Sequence, residues 1–340
     1  MKTYKVIIWN IIISIIFTSC FSKNYRIITK VDRKNSYWRE IHTIADSISD
    51  ALPFDLSSGW DISQTDTVEK EYLSLKNKKN IKISKKFNSI DELSTGMRSD
   101  IIFPTPKESL KKQFRWFYTY YAFTAIYPEV TDKGHVPIEK FLNKAEQKFY
   151  FQGDMSAHRG MNGVELKEQL DGIETNFLEW YTHSMYEECF DVILHYAKDD
   201  FQSTLPAVKD TLYSINEKQI KEQPNLNDVC AMLDRHLSTD YFSDLFTKNG
   251  QEMENRLEKR LKTTNELLNY NIQYDLILPG KIIATNTELQ NDGAMTWNIN
   301  LYRFLADDYY ITAESRATNI WAFAVTLLLV LFSVYSFIKK

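Results

Sequence analysis

Several runs between residues 25 and 87 have the residue types and the apolar–polar alternation that are typical of β-strands. Residues 25–31 and 37–44 are rich in Ile, Val, Tyr and Thr and flank a polar turn, which predicts a β-hairpin. Alternatively, the second run could open a helix that continues to Ala51, where a proline and a Ser-Ser-Gly turn follow. The same alternation predicts two more strands, at residues 60–63 and 80–87.

From about Asp91 to about Tyr270 the apolar positions follow a helical spacing instead. Residues 108–127 are a clear case, because their apolar positions share one stripe of a helix before Pro128: Leu110, Phe114, Phe117 and Tyr121. The other helices are predicted at 138–150, 227–237, 239–246 and 252–270, with a loop at 152–163, and residues 164–198 are predicted to be one long helix or a kinked pair. A helical block at 91–270 is therefore expected.

A period of two returns near the C-terminus, and it predicts strands at 274–278, 281–289, 295–301 and 309–314. Asp292-Gly293 lies between two of these runs and is a hairpin signal. The predicted fold class is α+β. An antiparallel sheet is built from an N-terminal β flank at 20–90 and a C-terminal β flank at 271–316, and the helical block is inserted between them.

The N-terminus has the order of a secretory signal. Two lysines precede an apolar run at residues 6–17, and Thr18-Ser19 then precede Cys20. The run is shorter than the roughly 20 residues of a spanning helix, so an uncleaved anchor is the weaker interpretation. A small residue before a cysteine resembles the lipobox of bacterial lipoproteins. Residues 1–19 are therefore predicted to be a signal peptide and Cys20 the lipidated first residue, the alternative being an ordinary signal with an incidental cysteine.

Residues 320–338 form an apolar run without a charged side chain, bounded by Arg316 and by Lys339-Lys340. At about 1.5 Å per residue, a helix of this length suits one membrane crossing. A buried core helix is the alternative, but burying every face of a terminal helix needs a much larger protein around it. The residues predicted to anchor the chain are Ile320, Trp321, Leu328, Leu331, Tyr335 and Ile338.

Together the two ends predict a protein of the cytoplasmic, or inner, membrane. An exported body places the bulk on the outer side and the C-terminal lysines in the cytoplasm, which agrees with the positive-inside rule. A protein with a spanning helix is not easily carried through an aqueous periplasm, and this favours the inner membrane. Because both β flanks leave from anchors, we expect them to pair in one membrane-proximal sheet.

Charge and cysteine content narrow the expected partners. The 41 Lys and Arg against 45 Asp and Glu leave a formal charge of -4, and there is no basic block to neutralise a row of phosphates, so nucleic acid is not an expected partner. Three cysteines without paired spacing predict neither a disulfide framework nor a zinc site. Membrane lipid and an envelope protein are the expected partners, and no cofactor is predicted.

The sharpest candidate for chemistry is a row of acidic and histidine side chains that recur every four residues: Glu179, His183, Glu187, Asp191, His195 and Asp199. Neighbours at this spacing share a helix face and could supply two metal ligands. Such sites need further ligands from a second helix, and no matching Glu-x-x-His is present. A solvated polar stripe is therefore the favoured interpretation, and no metal site is predicted.

Three weaker candidates complete the list. The aromatic run at 114–121 could form a ligand or lipid groove, with Trp116 and Tyr120 as the residues to test, although core packing is favoured. Cys189 and Cys230 are either inert thiols or a disulfide pair. Neither a Gly-x-Ser-x-Gly elbow nor a phosphate loop is found, so no catalytic residue is predicted.

The C-terminal region resembles the end of LppM-type membrane-anchored bacterial lipoproteins. The resemblance is carried by the spanning helix and by short motifs before it: Leu278-Pro279-Gly280-Lys281, Thr285-Asn286, Asp292-Gly293, Thr296-Trp297-Asn298 and Ala313-Glu314-Ser315. In that family a β-rich exported domain lies between a lipobox and a final transmembrane helix, and the helical block departs from its compact body. The resemblance implies a non-enzymatic envelope protein that touches lipid.

Three functions follow as hypotheses. The first is a non-enzymatic binding or assembly module held at the outer face of the cytoplasmic membrane. The second is an envelope enzyme, in which the row from Glu179 to His195 would converge with other carboxylates in a pocket. The third is a lipid-handling protein with an apolar cavity beside the β flanks.

Overall fold

The computed structural model describes residues 23–34, 36–45, 55–66, 79–98, 105–130, 136–220, 225–291 and 293–339, with the backbone alone at 23, 66, 98, 263–269 and 291. The predicted signal peptide and Cys20 lie outside the described residues. The chain is α+β, as predicted. It divides into a β unit, Met1–Glu129 with Asn269–Phe304 and Asp308–Lys340, and a helical unit, Val130–Leu268 with Leu305–Asp307.

The strands are β1 Lys23–Val31, β2 Tyr37–Ala45, β3 Asp55–Leu56, β4 Asp61–Asp66, β5 Lys79–Phe87, β6 Met97–Arg98, β7 Lys107–Phe114, β8 Tyr118–Tyr127, β9 Tyr270–Ile277, β10 Lys281–Thr285, β11 Gln290–Asn291, β12 Ala294–Asn300 and β13 Tyr309–Thr318. The α-helices are α1 Ile90–Ser94, α2 Lys144–Gln147, α3 Gly163–Tyr196, α4 Asp199–Gln202, α5 Leu205–Ile220, α6 Leu226–Leu237, α7 Tyr241–Asn269 and α8 Ile320–Ile338.

The larger sheet has seven strands in the order β11-β12-β9-β1-β2-β5-β4. The predicted hairpin is confirmed as the antiparallel pair β1 and β2, so the helical alternative for the second run is wrong. The two flanks meet in this sheet, because β9 pairs with β1, but they do not form one sheet as predicted, since β10 and β13 of the C-terminal flank lie in a separate four-stranded sheet. That pair is parallel, so the sheet is mixed and not antiparallel as predicted.

The smaller sheet has four strands in the order β10-β13-β8-β7. It includes residues 108–127, for which the sequence analysis wrongly predicted a helix. Residues 108–127 are an antiparallel hairpin and not a helix. Burial alternates along β8, where every second side chain from Thr119 to Tyr127 is buried. This is the period of two that a β-strand with one buried face produces. The turn consists of Trp116 and Phe117, without the Gly, Asn or Asp that normally marks a hairpin. The helical region thus begins after residue 130, apart from the short α1.

A buried ion pair connects the inner faces of the two larger sheets. Arg39 on β2 donates to Glu108 on β7, and the hydroxyl of Tyr274 on β9 donates to the same carboxylate oxygen at 2.7 Å. Arg39 also donates to Thr29 at 3.0 Å. The side chains of Arg39 and Glu108 are 1% and 0% exposed, so this pair is shielded from water and depends on its partners.

The C-terminal strands follow the prediction closely. β9, β12 and β13 match the predicted runs, whereas the run predicted at 281–289 is strand only as far as Thr285. Gly280 in the turn after β9 has a φ of 87°, and a Cβ there would lie 2.2 Å from the carbonyl oxygen of Arg316. Glycine is therefore required where this turn passes β13.

In the helical unit, α3 confirms the long helix predicted at 164–198. A capping box starts it, because the side chain of Asn162 accepts from the backbone of Glu165 and the Glu165 side chain accepts from the backbone of Asn162. The helices predicted at 239–246 and 252–270 are one helix, α7, since Gly250 stays within it. α5 has no predicted counterpart, because its buried residues are sparse: Leu205, Leu212 and Ile220.

The segment predicted as one helix at 138–150 is broken into three turns of different kinds. A 3-10 turn at Ile138–Lys140 is followed by α2 and then by a π-turn at Lys148–Gln152. The break occurs because Asn143 caps a new helix with its own side chain. The loop predicted after it is confirmed, with one 3-10 turn at Ser156–His158.

Candidate membrane-interface site

Helix α8 has the length and composition of a membrane-spanning segment. Its 19 residues include no charged side chain, and an 18-residue window within it has a mean hydropathy of 2.2 with 6% of its residues buried. At about 1.5 Å per residue the helix is about 28 Å long, close to the hydrocarbon thickness of a bilayer. The predicted anchor residues are all exposed: Ile320, Trp321, Leu328, Leu331, Tyr335 and Ile338. α8 is therefore long and apolar enough to span a membrane, and it is not a buried core helix.

One residue, Asn319, fastens the start of α8 to the tip of the β7–β8 hairpin. Its backbone N–H donates to the carbonyl of Phe117 at 2.9 Å, and its side-chain amide donates to the carbonyls of Arg115 and Trp116 at 2.9 and 3.2 Å. Its side-chain oxygen accepts from the hydroxyl of Thr119 at 2.9 Å. Since all of these bonds join Asn319 to the hairpin, the first turn of α8 is fixed to this hairpin of the β unit.

Aromatic rings from the hairpin tip and from the first turns of α8 pack together. We call these six side chains the aromatic collar: Phe114, Trp116, Phe117, Tyr118, Trp321 and Phe323. Trp321 stacks on Phe114 at 6.1 Å and meets Trp116 edge-on at 5.3 Å. The indole N–H of Trp116 donates to the hydroxyl of Thr326 at 2.8 Å, about 9 Å along the helix from its start. Trp and Tyr rings favour the membrane–water interface, and the collar places such rings around the first turns of α8.

The aromatic run at 114–121 is thus divided between two roles. Thr119 and Tyr121 lie on the inner face of the four-stranded sheet and are buried, whereas Phe114 and Trp116 are 57% and 45% exposed. Core packing, the favoured interpretation, holds for the inward side chains only. Tyr120 is half-buried and lies under the guanidinium of Arg115 at 5.3 Å.

Basic side chains lie at both ends of the apolar helix. Arg115 and Arg316 sit over the rings of Tyr120 and Tyr118 on the outer side of the hairpin. Arg33 and Lys112 line a pocket beside the first residues of α8. At the other end, Lys339 lies over the ring of Tyr335 at 5.8 Å. Cations at both ends of an uncharged helix suit interfacial positions on the two sides of a bilayer.

The open face of the seven-stranded sheet forms a second candidate site, a pocket of about 730 Å³ lined by polar side chains and by apolar ones such as Ile44. One registered row crosses six strands and consists of Ser63, Lys82, His42, Arg26, Gln273 and Asn298. The next row holds Asn80, Asn24, Asn271 and Asn300. Arg26 pairs with Asp275 at 2.7 Å and Lys82 with Glu40 at 2.9 Å, so the charges of this face are largely paired within it.

Glu40 gives this face a pH dependence. Burial acts to raise the pKa of Glu40, but hydrogen bonds from Lys82, Trp38 and His42 outweigh it and lower the pKa from 4.5 to about 2. A carboxyl with a depressed pKa contributes stability that is present above its pKa in the unfolded chain and is lost as the pH falls through its pKa in the folded chain.

We expect Glu40→Gln to lose less stability than the parent between about pH 4.5 and pH 2, measured by thermal unfolding at stepped pH. The exposed Glu254→Gln serves as the control, and an equal loss in parent and Glu40→Gln would contradict the assignment.

The row on α3 is used for ion pairs within the helical unit. Glu187 accepts from Lys209 on α5 at 2.6 Å and lies 3.6 Å from His183. Arg260 on α7 pairs with Glu188 and, at 3.0 Å, with Asp191. Among the described residues, no group of three or more His, Cys, Asp and Glu side chains is arranged to hold a metal ion. The row therefore joins α3 to its neighbours and is not a purely solvated stripe.

Cys189 and Cys230 are free, buried thiols in the core of the helical unit. Burial raises the pKa of each thiol to about 12, so the reactive thiolate is scarce at neutral pH.

We expect neither Cys189 nor Cys230 to react with iodoacetamide over an hour in the folded protein and both to react in denaturant, as counted by mass spectrometry. Rapid labelling of the folded chain would show that this core opens readily.

Comparison with other proteins gives no relative: no family model matches the chain, and no curated protein or solved structure is detectably similar to it. The resemblance to LppM-type lipoproteins therefore stays a prediction. The sequence analysis named Trp116 as a groove residue to test, but it missed Asn319 and the position of Phe114 and Trp116 at the tip of a hairpin. A signal for them was present, because large aromatic residues occupy a turn where small polar residues are usual.

Proposed function

We propose that this protein is a lipoprotein of the cytoplasmic membrane, lipidated at Cys20 and spanning once through α8, with its body on the outer side as a non-enzymatic binding or assembly module. The observation that carries the proposal is the exposed apolar α8 with the aromatic collar at its start. Exposed apolar area of this size is costly in water and is removed from it in a bilayer. The sheet next to this anchor is the four-stranded one, β10-β13-β8-β7, whereas the two β flanks pair with each other in the seven-stranded sheet.

The open face of the seven-stranded sheet is the surface we assign to binding. Its amide side chains can both donate and accept hydrogen bonds, and its cations are paired with Glu40 and Asp275. A neutral, hydroxyl-rich or amide-rich partner in the envelope fits this chemistry better than a strongly charged one. The enzyme alternative has the α3 row as its lead, and the members of that row pair with Lys209 and Arg260.

Lipidation is tested by metabolic labelling of cells with a fatty-acid analogue, comparing the parent with Cys20→Ala. We expect label in the mature parent and none in the variant, since a thioether-linked lipid needs the Cys20 sulfur. Cys189→Ala is the matched control and should keep the label. Equal labelling of parent and Cys20→Ala would remove lipidation from the proposal.

The binding face is tested by photo-crosslinking in intact membranes. A photoreactive residue at exposed Asn298 on the open face should give a discrete adduct, whereas one at exposed Lys218 on α5 should not. The adduct should weaken when Arg26 and Asn271 are both changed to Ala, because these side chains flank Gln273 in the same pocket. Adducts from Lys218 alone would move the binding surface to the helical unit.

A further inference from the structure

A second pocket lies beside the start of α8. Its volume is about 390 Å³, and it opens between the β1–β2 turn and the ends of β7, β8 and β13. The side chains that matter for its chemistry are Arg33, Lys112, Phe114, Thr119, Asn319 and Trp321. The pocket therefore opens at the end of the β unit where α8 begins.

The charges that line this pocket are positive. Arg33 and Lys112 are both exposed, and no Asp or Glu is among the lining residues. Asp32, next to Arg33, uses its carboxylate in the β1–β2 turn: one oxygen accepts from the backbone of Lys34 and Ser36, and the other from the Ser36 hydroxyl at 2.6 Å. An anion in the pocket would therefore meet two cations and no lining carboxylate.

Lys112 holds the two sides of the pocket together. Its ammonium donates to the backbone carbonyl of Arg33 at 3.0 Å and lies 5.5 Å from the centre of the Tyr121 ring. This bond ties β7 to the β1–β2 turn, so the Arg33 backbone is placed beside the Lys112 ammonium by the fold itself. Both cations therefore belong to residues whose relative position is set by the folded β unit.

The position of the pocket relative to α8 indicates which kind of anion the pocket can bind. Ile320 and Trp321 line the pocket and are also the first residues of the apolar helix. If α8 spans the bilayer, the pocket lies at the level of the phospholipid headgroups. Phe114 and Trp321, stacked and 57% and 51% exposed, continue the apolar surface of α8 up to the pocket. The phosphate of a phospholipid would lie between the two cations, and the acyl chains of the same lipid would follow this apolar surface.

We infer that this pocket binds the headgroup of an anionic phospholipid from the leaflet in which α8 begins. Two cations attract a net negative headgroup more strongly than a zwitterionic one, whose own cation they repel. The apolar wall distinguishes a lipid from a soluble phosphate, which would gain nothing from Phe114 and Trp321. The inference rests on the proposed membrane insertion of α8.

The test is native mass spectrometry of the full chain in detergent with added dioleoyl phosphatidylglycerol or dioleoyl phosphatidylcholine. We expect one phosphatidylglycerol to be retained in preference to phosphatidylcholine. Arg33→Gln/Lys112→Gln should lower this preference at least about tenfold, since each cation near a lipid surface contributes measurably to its binding. Arg115→Gln/Arg316→Gln is the matched control, because it removes two cations from the other side of the same hairpin, and it should keep the preference.

Each outcome has a defined meaning. Equal retention of both lipids, an equal loss in both double variants, or equally tight binding of inorganic phosphate would overturn the inference. Thermal unfolding of each variant identifies any that has failed to fold, and Lys112→Arg then replaces it, with retention of the preference expected. Reconstitution of the same preparations into liposomes separates the two proposals: a chain that does not insert contradicts the membrane anchor, whereas one that inserts without lipid preference contradicts this pocket alone.

Discussion

Two arginines in the middle of α8, Leu328→Arg and Leu331→Arg, are expected to release the protein from membranes into the alkaline-carbonate supernatant. The experiment uses a chain whose residues 1–20 are replaced by a cleavable secretory signal without a cysteine, so that α8 is the one predicted anchor. Arginine at the centre of a spanning helix costs about 2.5–3.5 kcal/mol, and two such residues together cost about 5–7 kcal/mol. The parent α8 should remain in the membrane pellet.

The matched control carries the same two charges at the end of the helix, as Phe337→Arg and Ile338→Arg. Long cationic side chains at that depth reach the interface, so this variant should stay in the pellet with the parent. Release of both variants to the same extent would mean that added charge, and not its depth, governs extraction. Retention of the central variant would mean that α8 does not cross the bilayer.

The second large effect is expected in the core of the β unit. Arg39→Met removes the cation that faces Glu108 and leaves a buried carboxylate with the Tyr274 hydroxyl as its remaining donor among the bonds described above. Breaking a buried pair on one side typically lowers the free energy of unfolding by about 3–5 kcal/mol. Hydrogen exchange at the amides of β1, β2 and β9 should therefore accelerate by roughly two to four powers of ten.

The double variant Arg39→Met/Glu108→Gln separates charge from packing. Glutamine keeps an oxygen that can accept from Tyr274 and carries no charge to bury, so it should recover most of the lost protection. Amides of α6 in the helical unit serve as an internal reference. If the single and double variants exchange equally fast, the loss is one of packing, and the ion pair has no special cost when broken.

The fold could be predicted where the signal is local. Alternation and β-branched content located β1, β2, β5, β9, β12 and β13, and apolar length located α8. The β7–β8 hairpin was missed for a physical reason, because Leu110, Phe114, Phe117 and Tyr121 fit a helical stripe and the turn between them has no turn-forming residue. The parallel pairing of β1 with β9 is a non-local choice that no spacing within either strand records.

The candidate site was predictable in part for the same reason. The anchor residues of α8 follow from hydropathy, which one segment carries alone. The collar, the Asn319 junction and the pocket at Arg33 and Lys112 each join segments that are far apart along the chain, so their side chains meet only after the sheets form. In α3, likewise, the spacing showed which side chains share a face, and the fold supplied Lys209 and Arg260 as their partners.

The central claim is that α8 crosses the membrane with the body outside, and labelling with a membrane-impermeant maleimide tests it directly. Cysteines are introduced singly at Ser58 in the β unit, at Lys218 in the helical unit, and after Lys340; Cys189 and Cys230 are buried and serve as an unreactive background. In spheroplasts, we expect labelling at positions 58 and 218, and labelling of the C-terminal cysteine only after the membrane is permeabilised. Labelling of the C-terminal cysteine in sealed spheroplasts, with positions 58 and 218 protected, would contradict it.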